Sequence, residues 1–328
     1  MALPWGESVL ALRGEYLTMV NTYDAVLLIG FGGPTRREEV RPYLETVLRG
    51  RPVPHERFEE VVRNYEAIGC RSPFNELTFR QADALRRLLE REGPQLPVYV
   101  GMRNWHPFLH ETLAEMSARG ARRALGVILS AFRTEASWDR YQADVAAARA
   151  RTPGAPDVAF APPWFDHPRF IAAVADRTRA ALAAIPADRR RWTPLVFTAH
   201  SIPVAMADAS PYVSDLTTAA REVVARLGHA RFSIAYQSRS GSPADPWLEP
   251  DIRDVLRMLA TDGERAVVVV PIGFVCDHVE VLHDLDVEAH DVASTLGLAF
   301  HRATAVNDHP EFIAMLADLV TRARAAAA

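Results

Sequence analysis

The chain has 328 residues. At about 150 residues per domain this predicts two domains, with enough apolar material for real cores, and excludes a miniprotein or a disordered tail. Composition is globular (49% hydrophobic, 24% charged, 9% aromatic), and 37 cations against 41 anions leave a formal charge of −4, which argues against a nucleic-acid partner.

All 37 cations are arginines, which excludes Schiff-base lysine chemistry and a Walker-A lysine. Two cysteines, Cys70 and Cys276, are too few for a disulfide framework or for a four-cysteine iron–sulfur cluster within one chain, and suit a reducing compartment. Residues 1–20 contain Glu7 and Glu15 and lack the cationic-then-apolar order of a signal peptide, and no apolar run approaches the roughly 18 residues of a membrane span. The expectation is a cytoplasmic protein without a transmembrane segment. The first 18 or so residues carry no clear role, and Met19 is an alternative start.

From there the chain alternates short apolar runs with longer segments of helical period. Strands are predicted over 25–29, 98–100, 124–129, 195–198, 233–236 and 266–270. Helices are predicted over 76–92 and 251–261, and Gly120 and Gly263 stand where helix C′ glycines stand. Asp24 and Thr193 mark strand entrances. This alternation is the pattern of an α/β fold, a parallel sheet flanked by helices on both faces.

The first strand runs into Gly30-Phe-Gly-Gly33, which lacks the third glycine of a dinucleotide loop and is interrupted by Pro34. Next come Arg49 and Arg51, then Tyr65, then Arg71-Ser72-Pro73. Arginine forks beside hydroxyls suit ligand carboxylates, although a pair of arginines is weak testimony where every cation is arginine. Trp105, Trp138 and Trp247 would floor an apolar cleft or fill ordinary core. The proline-marked stretch 152–168 is the expected join between halves.

The halves resemble each other. Residues 25–34 align without a gap on 194–203, and 99–132 are echoed by 235–274, so a duplicated domain is predicted, with Phe31 and His200 at equivalent strand exits. Ligands of open parallel sheets bind beyond the carboxyl ends of the strands, which puts these two residues in the walls of a cleft. A lone histidine is more often structural, but the small neighbours of His200 leave its imidazole accessible, and imidazole can accept a proton or ligate a metal near neutral pH. Further on, Glu280, Asp284 and Glu288 recur every four residues, with His283 beside them. On a helix they stack on one face, either as a solvated acidic surface or as a row that passes cations or protons. Residues 310–324 read as an amphipathic helix.

Gly32-Gly-Pro34, Tyr65-Glu-Ala-Ile-Gly69 with Ser72-Pro73, Ala199-His-Ser201, Asp245-Pro-Trp247 and the segment 271–286 together resemble the ferrochelatase family, which inserts ferrous iron into a porphyrin. The resemblance implies two similar Rossmann-like halves with the porphyrin between them, at 23–160 and 161–308, after an N-terminal extension over 1–22 and before a C-terminal helix over 309–328 packing across the pair. It implies that His200 and Glu280 are the catalytic pair and meet the metal, and that Asp284 and Glu288 form the proton and metal path. Phe31, Arg49, Tyr65, Ser72 and Trp247 are the expected substrate contacts. Fe2+ and porphyrin, most like coproporphyrin III, are substrates; no iron–sulfur cluster or other tightly bound cofactor is expected. A monomer is expected, with transient contact to neighbouring haem-pathway enzymes. A non-catalytic porphyrin or haem carrier, or a chelatase for another metal such as cobalt, are the alternatives. Phe31 stands where some soluble bacterial members have tyrosine. Asn64 and Asn104 replace an arginine and a histidine linked to an outer metal site, so that site is not expected.

Overall fold

The computed structural model describes residues 23–51, 53–240 and 245–327; the expected extension over 1–22, with the alternative start at Met19, lies outside the described residues. Its frame is two four-stranded sheets, parallel throughout. The first contains β1 (Ala25–Gly30), β2 (Val98–Met102), β3 (Arg123–Ile128) and β4 (Asp157–Phe160) in the order β2-β1-β3-β4. The second contains β5 (Leu195–His200), β6 (Phe232–Gln237), β7 (Ala266–Val270) and β8 (Ala299–Arg302) in the order β6-β5-β7-β8.

β1 and β5 are central and covered on both faces, which is why β1 reads as an unbroken apolar run and β5 as one broken only by buried Thr198 before it ends on His200. Val26 and Leu28 from β1 and Leu195 and Phe197 from β5 point into one core shared by both sheets, while Ala25, Leu27, Ile29 and Val196 face separate outer layers of helices. Helix Pro310–Ala327 packs on Pro168–Leu182 and on Phe74–Glu92 of the first half, with Phe312 wedged against Trp164 and Phe170 at centroid distances of 5.7 and 6.5 Å. Helix boundaries follow the local chemistry. The Asp251 carboxylate caps helix Ile252–Thr261 by accepting from the Arg253 amide, and Gly263 beyond its end takes the left-handed φ of 84° that a side chain would resist.

The repeat is geometric as well as sequential. Gly30 pairs with Met102, whose amide donates to the Pro107 carbonyl; Ala199 pairs with Tyr236, whose amide donates to the Pro250 carbonyl. The Ile29 carbonyl accepts from Leu129 at the exit of β3, and the Thr198 carbonyl accepts from Gly273 at the exit of β7. These matched bonds superpose Gly30 on Ala199 and therefore Phe31 on His200. Two expectations are narrowed. The proline-marked stretch 152–168 contains β4 at its middle, so the crossing between sheets begins only after Phe160. Trp138 is buried in the outer core of the first half, with its indole N–H donating to the Ser130 carbonyl, and does not floor a cleft. Among the described residues no helix is long and apolar enough to cross a membrane.

Candidate active site

β5 ends on His200. Its carbonyl accepts from the Tyr212 hydroxyl at 2.9 Å, and the next amide, Ser201 N–H, donates to the Gln237 carbonyl at 2.7 Å, so the backbone under the imidazole is held from two sides. His200 Nδ1 lies 3.2 Å from Glu280 Oε2, leaving Nε2 free of the pair, and the two side chains keep 30% and 38% of their surface exposed. The pair is therefore partly desolvated but reachable.

Glu280 is set by the segment that leaves β7. Short helix Val279–His283 is capped by His278, whose Nδ1 accepts from the Glu280 amide at 3.2 Å, while Gln237 Nε2 donates to the Glu280 carbonyl at 2.7 Å. The His278 ring lies edge-on to Phe74 and Phe274. The helix then widens into a π-helical turn, Asp284–Ala289, a form that tends to occur at functional sites. Ser238, at a positive φ of 63° just beyond β6, donates its hydroxyl to Asp284. His283 Nδ1 lies 3.3 Å from Asp284 and 4.0 Å from Glu288, and the ligand atoms of these three residues fall within 4.8 Å of one another, a spacing that could hold a cation. Arg253, anchored on Asp251, reaches Glu288 at 3.5 Å and partly compensates the outer end of the acidic row.

The electrostatics follow from this packing. Burial by itself would push Glu280 up, but the His200 charge and hydrogen bond, with His278 and the Ser238 hydroxyl behind them, bring its pKa down to about 2. Burial would depress His200, yet the Glu280 charge and hydrogen bond and the Asp284 charge outweigh it and leave the imidazole above its ordinary 6.5. His278, more dominated by burial, is lowered. Glu288 is raised, first by burial and then by the neighbouring Asp284 charge. One row thus holds a strongly acidic inner carboxylate and a more basic outer one.

The first half meets this wall with aromatic side chains. Helix Val279–His283 packs on His55–Ala67, with Val279 against the cluster that contains Tyr43 and Tyr65, and the Glu280 charge is felt at Tyr43, Tyr65 and Tyr141. Phe31 is 36% exposed, outside the core of its own half; its carbonyl accepts from the Asn104 amide and from Asn104 Nδ2. Asn104 is buried, and its side-chain oxygen accepts from Arg49. Arg49 is also paired through both guanidinium nitrogens with Asp144, at 2.7 and 2.9 Å. Asp144 binds Arg103 as well, whose guanidinium lies over the Tyr141 ring. Two cations share one carboxylate, which leaves an excess positive charge beside half-exposed Arg49.

Not every sequence-derived contact residue is presented to a ligand. Tyr65 is only 3% exposed, its phenol engaged with Tyr43 and its pKa driven up chiefly by burial. Ser72 is equally buried, its hydroxyl accepting from the Phe74 amide. Both support the wall from behind. Trp247 is half-buried beneath Arg239 and bridges to Pro203 through the backbone. Sequence reasoning missed Ser238, Tyr212, Asp144, Tyr43 and Tyr141. The matched pairing of Gly30 with Met102 and of Ala199 with Tyr236 makes Ser238 the counterpart of Asn104 in the repeat.

The ferrochelatase family profile matches residues 23–324. The chain is 46% identical over 306 residues to the coproporphyrin III ferrochelatase of Nocardia farcinica, covering 90% of this chain and 87% of that one. It is 43% identical over 303 residues to the protein of the same name from Mycolicibacterium smegmatis, with 91% and 89% covered. Among solved structures it is similar in fold to the sirohydrochlorin chelatase SirB of Bacillus subtilis subspecies spizizenii in complex with cobalt, at a TM-score of 0.56 and 12% identity over 92% of this chain and 95% of that one.

Proposed function

We propose, for a chain that belongs to the ferrochelatase family and is an enzyme of iron insertion into porphyrin, that the substrate is coproporphyrin III and that His200 and Glu280 act at the macrocycle centre. The observation that carries the reading is the 3.2 Å pair of His200 Nδ1 and Glu280 Oε2 at the exit of a central strand, with Nε2 outside that pair.

Metallation exchanges two pyrrole N–H protons for one Fe2+, so the site needs a base, an outlet for protons and a path of modest affinity for iron. With Nδ1 tied to Glu280, the neutral imidazole accepts a pyrrole proton at Nε2, and the imidazolium so formed is stabilised by the Glu280 carboxylate. Glu280, Asp284, His283 and Glu288 then form the graded row along which protons leave and the iron substrate enters. Phe31 has no lone pair for iron, so at the position equivalent to His200 it offers the macrocycle an apolar face. The excess charge at Arg49 suits a propionate, and coproporphyrin III has four carboxylates where protoporphyrin IX has two. Tyr65 and Ser72 hold the wall on which such a contact forms, and Trp247 adds apolar surface.

Anaerobic incubation with Fe2+ and each porphyrin in turn, followed by absorbance, tests the reading. Faster metallation of coproporphyrin III is expected. Metallation of protoporphyrin IX alone would overturn the substrate assignment, and porphyrin binding without metallation would favour a carrier.

A further inference from the structure

The catalytic segment has little stability of its own. Val279–His283 is five residues, far below the roughly 12–15 at which isolated helices persist, and it runs directly into a π turn. Something outside the segment must therefore fix where Glu280 and Asp284 stand.

We propose that Arg302 is that positioning residue, a buried guanidinium that clamps the segment on both sides of Glu280 and Asp284. Arg302 ends β8, which pairs with β7, the strand from which the segment departs. Its side chain is 12% exposed and reaches Asp277 at 2.8 Å and Asp286 at 2.5 and 2.7 Å. Asp277 lies three residues before Glu280 and Asp286 two residues after Asp284. Two residues along a helix turn the side chain by roughly 160–200°, so Asp286 is held from the back while Asp284 meets Ser238 and His283 on the other side.

The Asp277 end is itself locked. Its carboxylate accepts from the Ala305 amide at 3.1 Å and from Asn307 Nδ2 at 2.7 Å, and its amide donates to Asn307 Oδ1 at 2.9 Å. Gln81, from helix Phe74–Glu92 of the first half, donates to the Asn307 carbonyl at 2.8 Å. The clamp thus ties the acidic segment to β8 and to the opposite half. A single planar fork makes both ends possible; the point charge of lysine cannot span them.

The inference rests on the reading that Glu280 and Asp284 serve iron insertion, and two variants test it. Arg302→Lys keeps the charge and loses the fork, and Asp286→Asn leaves Asp277 bound. In both, kcat for coproporphyrin metallation is expected to fall about tenfold or more, as for a misplacement near 1 Å, while the porphyrin KM stays within about twofold. Hydrogen exchange, read without substrate, is expected to rise over residues 279–289 and not over 195–200. An unchanged kcat, unchanged exchange over 279–289, or a KM that worsens as much as kcat overturns the clamp. If the wild-type chain inserts no iron, the functional reading falls, and the exchange result alone decides the clamp.

Discussion

At His200, burial and charge pull in opposite directions, and the charge of Glu280 prevails. The base form of the imidazole therefore grows in only as pH rises through a value above 6.5, and the metallation rate is expected to rise along that limb. Glu280→Gln keeps the shape and removes the charge that lifts His200, so the limb should move to lower pH and kcat should fall about a hundredfold, within the range of a lost acid–base partner. Glu288→Gln, farther out and partly compensated by Arg253, should cost far less; equal small losses in pH-resolved kinetics would make the row a solvated face. At Arg49, Arg49→Ala should weaken coproporphyrin III by roughly 1.5–3 kcal/mol in a fluorescence titration, and protoporphyrin IX by less, if the charge-assisted bond forms. Equal titrations would remove Arg49 from the site. His200 was legible because it directly follows a buried apolar strand and Glu280 because it opens a four-residue acidic spacing, while their pairing was implied only by the family resemblance. Asp144 and Ser238 were not, because their importance lies in partners at Arg49, Arg103 and Asp284 that sequence distance conceals.

Six strands were legible because each is a run of apolar residues buried by its neighbours. β4 and β8 escaped because they are four-residue edge strands, Asp157-Val-Ala-Phe160 and Ala299-Phe-His-Arg302, half exposed and partly polar. The regular four-residue spacing of the acidic row suggested one uniform helix, whereas the segment breaks into Val279–His283, a π turn and His290–Thr295. Where β7 hands over to that segment, Gly273 passes so close to β5 that an added Cβ would stand 2.6 Å from both Ala199 Cα and Cβ. Gly273→Ala must push the segment off the strand that ends in His200. It should cost about 1–3 kcal/mol in urea unfolding, as overpacking does. Its loss in kcat should exceed that of a surface alanine substitution of equal stability cost. Retained kcat together with reduced stability would show that the His200–Glu280 geometry tolerates the shift.

Across the whole molecule the duplicated frame carries asymmetric chemistry: the same strand exit presents a phenyl ring at Phe31 and an imidazole at His200. The repeat was legible in the sequence, but the shared core was not, since nothing local predicts that Trp164, Phe170 and Phe312 meet. Because that core spans both sheets, the halves should unfold together, and Phe312→Ala should lower stability by about 3–5 kcal/mol in a single denaturation transition. Two transitions, with only one shifted, would mean the halves are independent. The central claim places the reacting centre at the His200–Glu280 pair in a cleft that binds porphyrin by other residues. Its most direct test is His200→Ala, with coproporphyrin III titrated by fluorescence and then challenged anaerobically with Fe2+ while absorbance is followed. Porphyrin affinity close to wild type with metallation abolished is the predicted result; metallation within about twofold of wild type, well short of the loss expected when a general base is removed, would contradict it.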